Sequence, residues 1–113
     1  MKEIKAYLRP HMVDPVVDAL ETEPGLPGVT VSEVTGFGHA AGGGPVELTE
    51  RAKLEIVVPD AEVEHVVGVI VQEARTGAPG DGKIFVSDVT GAVRIRTGER
   101  GEAAVKSSEH SAG

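Results

Sequence analysis

Two stretches place apolar residues at helical spacing, and each lies between segments that alternate apolar and polar residues. No other feature restricts the topology as strongly. The helical stretches are Val13, Val16, Val17, Leu20 and Val63, Val66, Val67, Ile70, Val71. Period-two character with β-branched enrichment marks residues 4–9, 29–34, 53–58 and 83–87, and a short extended piece is expected over 92–96. Pro10, the Glu23–Gly28 cluster, Pro59 and the run from Gly77 to Gly82 punctuate these segments. Asp60 stands where an N-cap is needed, and Arg75 falls where a cation complements the carbonyl end of the second helix.

Strand, helix, strand, strand, helix, strand predicts one α+β domain, a ferredoxin-like βαββαβ sandwich with both helices on one sheet face. The other face is left bare, and its residues are not all polar. Only three aromatic residues, Tyr7, Phe37 and Phe85, occur in 113, so the core must be Val, Ile, Leu and Ala. A thin aliphatic core with a bare sheet face predicts oligomerisation. Eleven Lys and Arg against eighteen Asp and Glu give a formal net charge of −7. That balance argues against nucleic acid, whose phosphates call for a positive field, and three rings cannot make a base-stacking sheet. The absence of cysteine excludes disulfides, thiolate zinc sites and a cysteine nucleophile. No apolar run approaches the roughly 20 residues that span a bilayer, and the charged opening residues are unlike a signal peptide. A cytoplasmic protein without membrane insertion is expected.

The sharpest local signal is Gly77-x-x-x-x-Gly82-Lys83. Ile84 replaces the magnesium-binding hydroxyl of a P-loop, and a strand follows where a helix should begin, so an ordinary P-loop NTPase is rejected. Two readings stay open: the glycines turn backbone amides toward an anion beside Lys83, or they merely allow positive φ in a connection. Arg94-Ile95-Arg96, read as strand, puts both guanidiniums on one side, where carboxylates of a neighbour or a phosphate chain must separate them. Lys83, Arg94 and Arg96 are three of the eleven cations, within fourteen positions. The four histidines have no metal-ligand spacing, and no catalytic set is evident. Gly36–Glu50, with five glycines and little periodicity, reads as a flexible functional loop.

Several blocks, in order, resemble the PII nitrogen-regulatory signal-transduction family: Thr30-Val-Ser-Glu-Val-Thr-Gly-Phe-Gly38, Lys53-Leu-Glu-Ile-Val-Val-Pro-Asp60, Ala74-Arg-Thr-Gly77, Gly80-Asp-Gly-Lys-Ile-Phe-Val-Ser87 and Val93-Arg-Ile-Arg-Thr-Gly-Glu99. The resemblance implies a PII-like domain over 1–102 with a target-binding loop at 38–51, followed by a polar, disordered tail at 103–113. It implies a homotrimer that binds an adenine nucleotide (ATP, ADP or AMP) in clefts between subunits and regulates a transporter or enzyme without catalysis. By position, Gly80, Asp81, Gly82 and Lys83 would cradle phosphates, and Arg94 and Arg96 would reach them from the adjacent subunit. Thr30, Gly38, His39, Glu55 and Val57 would lie by the nucleotide.

The chain also departs from the family's pattern. The shortened loop lacks tyrosine, so uridylylation of the usual type is not expected. Ala40 stands where the family has a magnesium-binding glutamine, and Arg51 where it has a lysine that pairs with 2-oxoglutarate. No usual magnesium–2-oxoglutarate site is therefore expected, and Ala40 and Arg51 are candidate contacts for another small anion. Two alternatives stand beside the sensor. One is a slow ATP or ADP hydrolase with His39 as base, and the other is a structural trimer with a vestigial site.

Overall fold

The structure, a computed structural model, describes residues 1–39 and 43–106. Strand β1 (Lys2–Leu8) leads through a 3-10 turn at Pro10–Met12 into helix α1 (Val13–Glu21). Pro15 lies in the first turn of α1, where a missing N–H removes no helical bond. Strands β2 (Thr30–His39) and β3 (Val46–Val58) form a long hairpin. Helix α2 (Val63–Ala74), strand β4 (Gly82–Asp88) and a single turn, α3 (Glu102–Val105), complete the chain. The sheet is antiparallel in the order β2-β3-β1-β4, which is the ferredoxin-like arrangement expected from the sequence.

Period two fixes which residues go inside. Ile4, Ala6 and Leu8 of β1 pair with Ile56, Leu54 and Ala52 of β3, and all six are buried. All but Ala52 pack in one cluster with Val16 and Leu20 of α1 and Val66 and Ile70 of α2. No aromatic ring enters this core. The intervening residues face away from the helices and align in rows. Thr30, Glu55, Lys5 and Phe85 make one row, and Ser32, Lys53, Tyr7 and Lys83 the next. Charges on this open face neutralise one another, with Lys5 3.5 Å from Glu3 and Lys53 3.4 Å from Glu55. Tyr7 and Phe85 meet edge to face, with centroids 6.1 Å apart.

Four expectations are corrected. The ladder of β2 and β3 runs through most of the segment read as a flexible loop, pairing Gly36 with Thr49, Phe37 with Leu48, Gly38 with Glu47 and His39 with Val46. The connection shrinks to 40–45. Among the described residues nothing covers this arm, and Phe37 and Leu48 are 75% and 77% exposed. Without burial to enforce alternation, its pairing left little trace in the sequence. Second, 92–96 is not a strand. Val93 bridges to Arg100, the Arg94 amide donates to the Glu99 carbonyl at 2.8 Å, and Gly98 at φ +74° closes the turn. Ile95 projects outward, 99% exposed. Third, Asp60 makes no capping hydrogen bond; its carboxylate lies 2.8 Å from the Met1 ammonium. The polar tail expected from 103 begins instead as the ordered turn α3, with Val105 buried, and residues 107–113 lie outside the described residues.

Candidate functional site

The loop from Thr76 to Gly82 is built around one carboxylate. Asp81 accepts hydrogen bonds from the amides of Thr76 and Gly77, each at 2.8 Å, and from the Thr76 hydroxyl. The Thr76 hydroxyl, then the Thr76 amide, with smaller contributions from the Gly77 amide and the Arg9 charge, lower this carboxyl to about 2. The chain's own anion thus takes the amides at the start of the loop, where the glycines had left an external anion possible. Gly77, Gly80 and Gly82 all have positive φ, as the connection reading requires. Gly82 has no alternative. At φ +115°, a Cβ there would lie 1.8 Å from the Tyr7 carbonyl oxygen.

Cations gather at the same end of the sheet. A Cβ on Gly80 would lie 3.2 Å from Arg9 Nη2 and 3.4 Å from Arg51 Nη2, so both guanidiniums converge there. Arg9 Nη2 donates to the Pro79 carbonyl at 2.8 Å, and its Nε lies 3.5 Å from Asp81. Arg51 Nη1 donates to the Glu50 carbonyl at 3.0 Å. Lys83, the second residue of β4, stands opposite Tyr7. Gly36, Gly38 and Arg51 line an adjoining cleft of about 280 Å³ at the root of the β2–β3 arm. Sequence reasoning missed Arg9. Its place follows from register: one step beyond the Leu8 pairs with Ala52 and Gly82, it falls between Arg51 and Asp81. A charged residue at the end of β1 was visible; which strands flank it was not.

Thr30, Glu55 and Val57 assemble elsewhere. Thr30 pairs directly with Glu55, and with Val57, Glu3, Gly28 and Val105 they line a cleft of about 320 Å³. Glu55 is four positions from Arg51 along β3, about 13 Å at the rise of a strand. Near this second cleft stands the turn that carries Arg94 and Arg96. Arg94 does not project beside Arg96 as from a strand. Its side chain is 9% exposed, with Nη1 3.2 Å from Glu99 Oε1 and Nη2 donating to the carbonyls of Ala103 at 3.3 Å and Lys106 at 2.5 Å. The carboxylate alternative is thus realised for Arg94 within its own turn. The His39 side chain and all of Ala40 lie outside the described residues.

The expected set therefore forms two groups on one chain. Gly38, Arg51 and Gly80–Lys83, joined by Arg9, lie around the root of the β2–β3 arm, midway along β3; Thr30, Glu55 and Val57, near the Arg94 turn, lie toward the C-terminal end of β3. Among the described residues, no three His, Asp or Glu side chains cluster as metal ligands. No helix there is long and apolar enough to cross a membrane. His65 Nε2 lies 2.8 Å from a Glu23 carboxylate oxygen, in a surface pair.

Comparison with known proteins agrees with this architecture. The nitrogen regulatory protein P-II family profile matches residues 1–99. Nitrogen regulatory protein P-II 1 of Escherichia coli strain K12 is 45% identical over 93% of this chain and the whole of that protein. The P-II protein of Microchaete diplosiphon is 47% identical with the same coverage. The crystal structure of Arabidopsis thaliana PII bound to citrate superposes with a TM-score of 0.81 at 43% identity, over 95% of this chain and 91% of that one. Sequence and fold agree over nearly the full length, and the chain belongs to the nitrogen regulatory protein P-II family.

Proposed function

We propose that this chain is a non-catalytic cytoplasmic sensor. It binds an adenine nucleotide in clefts completed between the subunits of a homotrimer and regulates a transporter or metabolic enzyme through the β2–β3 arm. The observation that carries this reading is the division of the site. On β3, Arg51 of the phosphate-facing group (with Gly80, Gly82 and Lys83) and Glu55 of the nucleoside-facing group (with Thr30 and Val57) stand four positions apart, about 13 Å by strand rise. A second copy that laid its nucleoside-facing group against the first copy's phosphate-facing group would complete one cleft per interface.

The electrostatics support an anionic ligand despite the net charge of −7. Two guanidinium forks meet at Gly80, Lys83 stands opposite Tyr7 on β4, and charge-assisted bonds contribute on the order of 1.5–3 kcal/mol each. The same pair, Arg9 and Arg51, suits a second small anion with carboxylate or phosphate geometry; Arabidopsis PII was solved with citrate. Arg51 also roots the arm, since it pairs with Val34 just before Gly36. An anion that draws Arg51 toward Gly80 would bias the arm to the extent of its differential affinity for the two arm positions.

Calorimetry with AMP, ADP, ATP and cyclic AMP tests the reading. Binding tighter than about millimolar, roughly −4 kcal/mol, is expected for at least one of them. Lys83→Ala and Arg51→Ala should each weaken it by about tenfold or more, the loss of one charge-assisted contact. Absence of binding by all four nucleotides would overturn the sensor. Release of ADP or AMP from ATP above the blank during long incubation would favour the hydrolase.

A further inference from the structure

We propose that Ile95 of one copy seats in the apolar cavity between α2 and β4 of the next, and that this contact, repeated head to tail, closes the homotrimer. The inference rests on the trimeric sensor reading above. It adds to that reading the side chain that fixes one copy's turn against the next copy's phosphate-facing group.

Ile95 is 99% exposed, so its side chain fills no space within its own chain. The turn beneath it is nevertheless firmly built. The Arg94 amide donates to the Glu99 carbonyl at 2.8 Å, the Gly98 amide to the Arg94 carbonyl at 2.7 Å, and the Gly101 amide to the Ala92 carbonyl at 3.0 Å. An aliphatic knob on a preorganised turn loses little further freedom when it is buried. Burying a whole isoleucine side chain favours association by roughly ten- to a hundredfold per contact.

The matching hole is on the same chain. Val67, Ile70 and Val71 of α2 face Leu8 of β1 and Ile84 of β4 across a cavity of about 280 Å³. A cavity of about 150 Å³ with such a lining admits a benzene ring, so this one has room for an isoleucine side chain. Val71, which also lines a groove on the outer face of α2, stands at its mouth. On that side β4 is the edge of the sheet, where a neighbour can approach.

Position decides the occupant. The cavity shares Asp81, Gly82 and Lys83 with the phosphate-facing group. Ile95 stands instead on the turn beside the Thr30–Glu55–Val57 cleft. A second copy seated through Ile95 therefore brings the two groups of site residues together, as a shared cleft requires. Knob and hole lie at different places on one chain, so the contact is heterologous, and such contacts form rings when their rotation closes.

The chain has no cysteine, so an introduced disulfide reports the contact directly. The full chain carrying both Ile95→Cys and Val71→Cys is oxidised with diamide and run on a non-reducing denaturing gel. Covalent species of two and three chain masses are expected, and neither single variant should give them. Such a bond forms only where the two Cα atoms come within about 7 Å. Ile95→Asp would carry a carboxylate into the apolar cavity. It should stay folded by circular dichroism and sediment as one chain mass at concentrations where the wild type is assembled. An assembled wild type whose double variant stays at one chain mass overturns the seat, and so does an Ile95→Asp chain that remains assembled. Dimers from Ile95→Cys alone overturn it as well, because the contact would then be isologous. Covalent masses beyond three chains overturn the closed ring. A wild type that sediments as one chain overturns the trimer and the seat together. The expected cross-links in a chain that binds none of the four nucleotides overturn the sensor and support the seat.

Discussion

Gly82 and Gly68 show how differently one residue type can be constrained. At Gly82, φ is +115° and a Cβ would lie 1.8 Å from the Tyr7 carbonyl oxygen, so an alanine must push β4 away from β1. Gly82→Ala should cost on the order of 3–4 kcal/mol in urea unfolding. Gly68, within α2, has nothing within 4 Å of a built Cβ. Gly68→Ala should stabilise by about 0.5–1 kcal/mol, because glycine gives up more chain freedom on entering a helix. Asp81 governs the same loop by charge. Its carboxyl is lowered to about 2, first by the Thr76 hydroxyl and then by the Thr76 amide. A depressed native value means that the contribution is complete above the ordinary carboxyl range and disappears as pH falls through about 2. The Thr76 and Gly77 amide resonances should therefore hold their positions down to about pH 4 and shift together between there and pH 2. In Asp81→Asn that titration should vanish.

On β3 the same strand face runs from core to solvent, and elements behave accordingly. Leu54 is 1% exposed, whereas Leu48, six residues earlier on that face, is 77% exposed opposite Phe37. Leu54→Ala should cost about 2–5 kcal/mol in chemical denaturation, but Leu48→Ala less than about 1 kcal/mol, the range of an exposed cross-strand pair. This gradient also explains what could be read from the sequence. Both long helices and the buried halves of β1 and β3 were legible, because one buried face forces residues into period. The distal arm was not, since pairing two exposed strands requires no apolar pattern and its glycines resemble a loop. The Arg94 turn misled for a related reason. Val93-Arg-Ile-Arg96 alternates as a strand does, yet Gly98 and the Glu99 carbonyl fold it back within five residues. For the candidate site, the loop and its lysine could be found from spacing. The gathering of Arg9 and Arg51 at Gly80 could not, because it exists only once β1 lies between β3 and β4.

At the scale of the molecule, the chain measures 51 × 25 × 21 Å, drawn out by a hairpin whose thirteen-residue strand alone spans about 43 Å. A domain of this size covers one sheet face with helices and leaves the other bare. On that bare face Phe85 is 55% exposed, on an edge strand whose outer side pairs with nothing among the described residues. Stability of the proposed trimer should accordingly rise with protein concentration, as mass action requires when folding and association are linked. Phe85→Glu separates association from folding. It places a carboxylate opposite Lys5 in the ladder, which an isolated sheet tolerates, whereas a second copy laid over that face would have to desolvate it. The variant should stay folded by circular dichroism, fall to one chain mass in analytical ultracentrifugation and lose nucleotide binding. Arg51→Ala should keep the assembled mass and lose affinity only. If Phe85→Glu remained assembled, the open face would not be the contact surface. If it became monomeric and still bound nucleotide normally, the two groups of site residues would not need a second copy to act together.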